Sequence, residues 1–436
     1  MPVSLQRRIR FRYTTAAAIG ALLLLAGGLA ACSSSKSASS NSSSSNSASP
    51  TSQVGAAPTA TATGSTASKS TYVIGNVSDV TGAQPLPEVS AVIHAWQQWT
   101  NTHGGINGHP VKIIYMDSRG DPGAALSDIK TLVQNDHVLA LVGNNGSGTE
   151  AGYASFLVQA HIANLGGANY TPLWTSNPVF LPTASTLLAN LASEAIIAQR
   201  AGKSHLAIVY CAEQAACSET IGMYQVIAPL AGMKFVAHVK ASVSAPDYTA
   251  VCLALKSAGA DAVFNEGIPP KLFQDCARQG YKPMWLLYQA IPSLLQFSSD
   301  LNGAQGDDLN LPWFASSPAL ADFHQAMTQY ASGVTYGSVS SRMWTAFEVF
   351  KAAMANAGDS PTPQSVFDGV YTLPPNYTAG GLAPPLNYVR GKPTPPINCF
   401  FVFGIQNAKW TLPNGSQDVC LPSSITSSPL AKAVNG

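Results

Sequence analysis

The sequence predicts an α/β protein whose folded body is built from parallel sheets in two lobes. Three observations predict it. From about Tyr72 short apolar runs alternate with amphipathic segments, the signature of βα units. The body that follows is long enough to bury two separate cores. The residues before it, by contrast, have a composition that cannot build a core.

The N-terminus carries Arg7, Arg8, Arg10 and Arg12, then an apolar stretch from Ala16 to Leu29. A basic segment followed by an apolar run too short to span a bilayer comfortably is the pattern of an export signal over residues 1–31. Leu29-Ala30-Ala31-Cys32 resembles the lipobox of bacterial lipoprotein signal peptides. Small residues let a peptidase reach the backbone, and the Cys32 thiol then takes up diacylglycerol. Residues 32–70 are Ser, Ala, Thr, Asn and Pro with almost no large apolar side chain. Such a segment behaves as a linker, with an r.m.s. reach on the order of 35 Å. The expected location is therefore extracytoplasmic, anchored to the cell membrane by lipid alone.

No later run is apolar over eighteen uninterrupted residues, so no transmembrane helix is expected. A net charge of +1 argues against nucleic acid, which demands a basic face. The chain has seven cysteines. With Cys32 assigned to lipid, the even set Cys211, Cys217, Cys252, Cys276, Cys399 and Cys420 reads as disulfides in an oxidising compartment. Sequence alone leaves their pairing open. The nearest-neighbour set 211–217, 252–276 and 399–420 is the working expectation.

The elements follow in order. Strands are expected at 72–77, 111–116, 138–142 and 162–165, with helices at 88–100, 122–135 and 150–160 between them. Val89, Val92, Trp96 and Trp99 share one face of the first helix. Asp121-Pro122 starts the second, an N-cap carboxylate followed by proline at the first helical position. The rhythm repeats with helices at 187–200, 218–231, 248–257 and 270–279 and strands at 205–210, 234–239, 261–264 and 284–287. A strand is expected at 309–314, helices near 318–330 and 341–357, a loop over the Pro- and Gly-rich 361–396, and closing strands at 400–405 and around Lys409-Trp410. Asp307-Asp308 reads as a solvated turn.

Several chemistries are weighed and set aside. Gly146-x-Gly148-x-x-Ala151 fits a dinucleotide fingerprint, but no acid follows near 164–170 to hold a ribose. Gly202-Lys203-Ser204 lacks the earlier glycine of a phosphate-binding loop, since Ile197 stands there. No metal-binding spacing of His or Cys occurs, and no serine sits in a nucleophile elbow. No cofactor, metal or catalytic residue is expected.

The run Ile74-Gly75, Thr81-Gly82, Gly104-Gly105-Ile106-Asn107-Gly108, Asp117, Gly120-Asp121-Pro122, Val142-Gly143 and Ser147 resembles the first lobe of type I periplasmic binding proteins, in particular the leucine/isoleucine/valine-binding group that feeds ABC importers. Ala258-Gly259-Ala260-Asp261-Ala262-Val263 and the helix from Trp344 to Gly358 extend the likeness over nearly all of the chain after the linker. The resemblance implies two Rossmann-like lobes joined by a hinge crossed three times: 71–185 and 309–360 in the first lobe, 186–308 in the second, and 361–436 mostly second lobe and tail. Ligand would lie between the lobes, beyond the carboxyl ends of the strands. In the first lobe it implies Ser147, Gly148 and Thr149 at a helix start, and Ala168, Asn169 and Tyr170 after the fourth strand. Tyr170 stands where the family usually has Thr or Ser. In the second lobe Gln289 stands where amino-acid binders place an acid, with Glu266 in the neighbouring loop. The implied role is that of a monomeric solute-binding lipoprotein, taking an amino acid or a related carboxylate or amide to a membrane permease. A lipoprotein that senses its ligand and reports it to a receptor is the alternative.

Overall fold

The computed structural model describes residues 69–82, 85–146, 148–213, 218 and 221–435. The signal peptide 1–31, the lipidated Cys32 and almost all of the 32–70 linker lie outside the described residues, as do Gln84, Ser147 and Cys217.

The first lobe is a five-stranded parallel sheet in the order β2-β1-β3-β4-β5, an arrangement of doubly wound folds. Its strands are β1 (Tyr72–Ser78), β2 (Val111–Asp117), β3 (Leu141–Asn144), β4 (Asn164–Gly167) and β5 (Phe180–Leu181). Between them run α1 (Val89–Thr102), α2 (Pro122–Gln134), α3 (Glu150–Ala160) and α4 (Leu173–Ser176). Helix α1 buries Val89, Val92, Trp96 and Trp99, as its spacing requires. Helix α2 begins where a cap was expected: the Asp121 carboxylate accepts from the Ala124 amide at 2.7 Å, satisfying one otherwise orphaned donor.

The second lobe begins with α5 (Leu187–Arg200) and β6 (His205–Cys211). It continues through α6 (Ile221–Leu230), β7 (Lys234–Ala241), α7 (Thr249–Ser257), β8 (Ala262–Glu266), α8 (Lys271–Arg278), β9 (Met284–Tyr288) and β10 (Gln305–Asp308). Strands β6 to β10 pair in parallel in the order β10-β9-β8-β6-β7. After the chain has returned through α9 (Ala321–Tyr330), α10 (Ser338–Met354) and α11 (Pro363–Val370), β11 (Cys399–Gln406) adds to β10 in antiparallel fashion. Strands β12 (Lys409–Thr411) and β13 (Val419–Cys420) pair with β11, and helices α12 (Ser423–Thr426) and α13 (Pro429–Asn435) end the lobe. Disulfides join Cys252 to Cys276, tying α7 to α8, and Cys399 to Cys420, tying β11 to β13. Cys211 is also disulfide-bonded.

Three expectations are corrected. Residues 309–314 are not a strand; the strand is β10, just before them, and Asp307 and Asp308 lie in it at 1% and 3% exposure instead of forming a solvated turn. Backbone pairing to β9 and β11 holds this segment in the sheet despite its acidic side chains. The 361–396 stretch is not all loop, since α11 forms behind a Thr362/Ser365 capping box with Pro363 at its start. Nor does the chain rejoin the second lobe at 361: Val366, Phe367, Val370, Leu382, Leu386 and Ile397 belong to the first core. Burying that apolar face keeps the segment on the first lobe.

The lobes are joined where 183–186, 308–311 and 397–399 run side by side. The Ser185 amide donates to the Leu309 carbonyl at 3.3 Å, the Thr186 amide to the Ile397 carbonyl at 3.0 Å, and the Ser185 hydroxyl to the Cys399 carbonyl at 2.6 Å. No helix among the described residues is long and apolar enough to cross a membrane.

Candidate ligand-binding cleft

Strands β1, β3 and β4 are cross-linked by buried asparagines. Asn76 donates to the Val142 carbonyl at 2.9 Å, Asn144 accepts from the Val77 amide at 2.9 Å, and the Asn144 amide group donates to Asn164 at 3.0 Å. These bonds satisfy side-chain polar groups that would otherwise be buried unpaired. They also fix the loop after β3, in which the Asn145 amide donates to the Ser78 hydroxyl at 3.0 Å. After β4 the chain turns sharply at Gly167, whose φ is +131°. A Cβ there would sit 1.9 Å from the Asn144 carbonyl oxygen, so only glycine fits.

Of the site residues expected on this lobe, Ser147 lies outside the described residues. Gly148 is exposed in a left-handed conformation, and Thr149 is buried directly before α3. Ala168 is buried with its amide donating to the Asn144 carbonyl at 3.0 Å. Asn169 is wholly buried and donates to the Ala184 carbonyl at 3.2 Å, which ties it to the hinge. Tyr170 reaches into the space between the lobes, where its hydroxyl accepts from both Arg342 and Gln289.

Arg342 is the group sequence reasoning missed. It lies on α10, which is buried along almost its whole length, on the same face as Ser338 and Thr345. It is 4% exposed; its Nε donates to Asn145 at 3.1 Å, and its guanidinium carbon lies 5.3 Å from the centre of the Tyr170 ring. A lone cation in the otherwise uncharged stretch from Ser338 to Phe347 was the available signal.

On the second lobe Gln289 sits at the end of β9 in a left-handed backbone conformation, with Tyr288 beside it. The rings of Tyr288 and Tyr170 approach to 5.9 Å across the cleft. Glu266 ends β8, half-buried. Next to these groups a pocket of about 350 Å³ opens between the lobes, lined by Leu86 and Glu88 of the first, Gln289 and Pro292 of the second, and Tyr336 and Ser338 at the hinge side. The Ser338 hydroxyl donates to Asp308 at 2.9 Å and accepts from the Ala290 amide at 2.9 Å, joining α10 to β10.

Three acids are buried on α5 and β10, the elements that leave and re-enter the hinge. Burial pushes the Asp308 carboxyl up to about 7, although the Arg342 charge and the Ser338 bond oppose the shift. Burial and the neighbouring Asp308 push Asp307 up to about 8. Burial, with Asp307 nearby, holds Glu194 well above the carboxylate range.

Two α/β lobes on a three-segment hinge, with polar side chains meeting between them, define a protein that binds a molecule in its cleft. The chain belongs to the periplasmic binding protein family, whose model matches residues 71–409. That membership makes it an extracytoplasmic solute-binding protein and not an enzyme. Solved structures with the same fold include a fatty acid ABC transporter substrate-binding protein from Thermomonospora curvata, at TM-score 0.66 and 16% identity over 83% of this chain and 95% of that one. A leucine-binding protein from Thermotoga maritima matches at TM-score 0.62 and 16% identity, over 80% and 99%. An ABC transporter solute-binding protein from Rhodopseudomonas palustris BisB5, in complex with 3,4-dihydroxy benzoic acid, matches at 0.63 and 14%, over 80% and 96%. No curated protein matches the sequence significantly.

Proposed function

We propose that the protein is the solute-capturing lipoprotein of an ABC importer, held at the membrane by lipid on Cys32, and that its cleft takes a small organic carboxylate, an amino acid or a related amide. The observation that carries this reading is Arg342. Its guanidinium is buried, bonds to the uncharged Asn145 and Tyr170, and forms no ion pair among the described residues. Glu88 and Asp308 act on it electrostatically without a direct ion pair; a buried charge without a direct partner costs several kcal/mol, and a solute carboxylate would offset that cost. Ser147, Gly148 and Thr149 would add hydroxyls and the positive end of α3. Ala168, Asn169 and Tyr170 would complete the first-lobe wall, and Glu266 and Gln289 would face them from the second lobe. The solutes named with the three relatives, a fatty acid, leucine and 3,4-dihydroxy benzoic acid, all bear a carboxylate. Import supplies the rest of the mechanism: capture, closure about the hinge, and docking of the closed form on a permease within reach of the tether.

A thermal-shift screen of carboxylates against their uncharged amides and alcohols tests the reading. A ligand at a hundred times its dissociation constant stabilises by about 2.7 kcal/mol. Stabilisation by uncharged solutes and by no carboxylate would contradict it.

A further inference from the structure

A second cavity, of about 340 Å³, lies within the second lobe, between the loop after β8 and the segment after β9. Ile268 and Pro269 line it from the first of these, Leu287, Ile291 and Leu294 from the second. It is continuous with the interlobe pocket, since Ile291 and Ser293 line both.

Its chemistry suits hydrocarbon. No charged side chain lines it among the described residues. Its one amide side chain is already engaged: Asn265 donates to the Ile268 carbonyl at 2.8 Å and accepts from the Ile268 amide at 3.0 Å, closing its own loop. Pro269 and Pro270 come next, and a proline has no backbone N–H to offer. At the mouth apolar surface is left in water, with Ile291 47% and Tyr288 36% exposed. Adjoining apolar side chains left open at the rim of a cavity mark a place that an apolar group covers.

Tyr288 connects this cavity to the anchor. Its ring lies 5.9 Å from that of Tyr170, which lies 5.3 Å from the Arg342 guanidinium carbon. An extended chain advances about 1.2 Å per bond, so a tail of about nine bonds covers both steps. The side chain of leucine is too short and ends among the rings.

We propose that this cavity seats the apolar tail of an elongated carboxylate, with the head at Arg342 and the hydrocarbon passing Tyr288 into the second lobe. The proposal rests on the reading of Arg342 as the carboxylate anchor. Continuity with the interlobe pocket favours a solute tail over a protein partner as the occupant. Each methylene moved from water into the cavity raises affinity about fourfold. A tail that ends in a charge finds no counter-charge there and forfeits the gain.

The test is calorimetry with butanoate, octanoate, decanoate and dodecanoate, each below its micelle concentration, beside decan-1-ol and dodecanedioate. We expect dodecanoate to bind about a hundredfold tighter than octanoate, and dodecanedioate to lose most of that gain. In Leu294→Asp the gain from octanoate to dodecanoate falls to about tenfold or less. Ile291→Asp, at an exposed position, makes the same test should the first variant not fold. Equal binding of octanoate and dodecanoate overturns the tail seat and leaves the Arg342 reading standing; a protein partner on this face would give that result. Decan-1-ol that binds as tightly as decanoate, with the gain in chain length intact, does the reverse. A gain that survives in both variants overturns the assignment to this cavity, and no binding by any member overturns both readings.

Discussion

Gln289 of the second lobe donates its side-chain amide to the hydroxyl of Tyr170 on the first, and the same hydroxyl accepts from Arg342. One phenol thus joins the proposed anchor to the opposite wall, and closure of the cleft can be sensed at a single atom.

Tyr170→Phe keeps the ring and removes the hydroxyl. One bond to a charged donor and one to a neutral donor are lost, each worth about 1–3 kcal/mol. Ligand affinity is expected to fall about tenfold or more in calorimetry, and the melting temperature of the empty protein to drop by several degrees, because both bonds are present without ligand. Wild-type affinity would show that the hydroxyl has no part in holding the cleft closed.

Gly167 admits no side chain. Gly167→Ala is expected to cost about 2 kcal/mol or more through strain against the Asn144 carbonyl, and to weaken binding by displacing Tyr170. Thermal unfolding measures the first effect and calorimetry the second; a variant that melts like wild type would refute the close approach.

Stability should depend on pH with a definite sign. Burial pushes the Glu150 and Asp308 carboxyls up to about 7. Unfolded, such groups lose their protons near pH 4; folded, they hold them to about 7. Between those values unfolding releases protons, so this contribution favours the fold at pH 4 and declines as pH rises to about 7, above which it levels off. The melting temperature of the empty protein is expected to drop by several degrees from pH 5 to pH 8, on the order of 2–4 °C per kcal/mol. Asp308→Asn should flatten the slope. A melting temperature that climbs over this range would contradict the prediction.

The Cys252–Cys276 bridge closes a 24-residue separation and couples α7 to α8. In the chain-entropy account it stabilises by about 3 kcal/mol. The double variant Cys252→Ala, Cys276→Ala should therefore lower the denaturant midpoint, while binding is unaltered because neither cysteine lines the cleft. An unchanged midpoint would deny the bridge a stabilising role.

What could be read in the sequence follows from where burial leaves a periodic trace. Helices α3 and α5 run from Glu150 to Ala160 and from Leu187 to Arg200, as expected, because α3 buries Tyr153, Ala154 and Leu157 in the first core and α5 packs its apolar residues against β10 and β11. Strand β10 was illegible because Gln305-Gly306-Asp307-Asp308 has no apolar alternation; it is held by pairing on both sides. Helix α11 was hidden by the surrounding prolines and glycines, although Thr362-Pro363 marks its start and Val366, Phe367 and Val370 its buried face. In the cleft, Tyr170 and Gln289 could be placed through a family resemblance. Arg342 could not, since a charge within a buried element reveals its partners only after the lobes are folded together.

The most direct test of the account is the affinity of Arg342→Met for the best carboxylate found by screening, measured by calorimetry beside the melting temperature of the empty protein. Methionine fills similar volume without charge. Affinity should fall about a hundredfold or more, while the empty variant melts at or above the wild-type temperature because an unpaired buried cation has been removed. Unchanged affinity would contradict the account and leave the cleft without its carboxylate anchor.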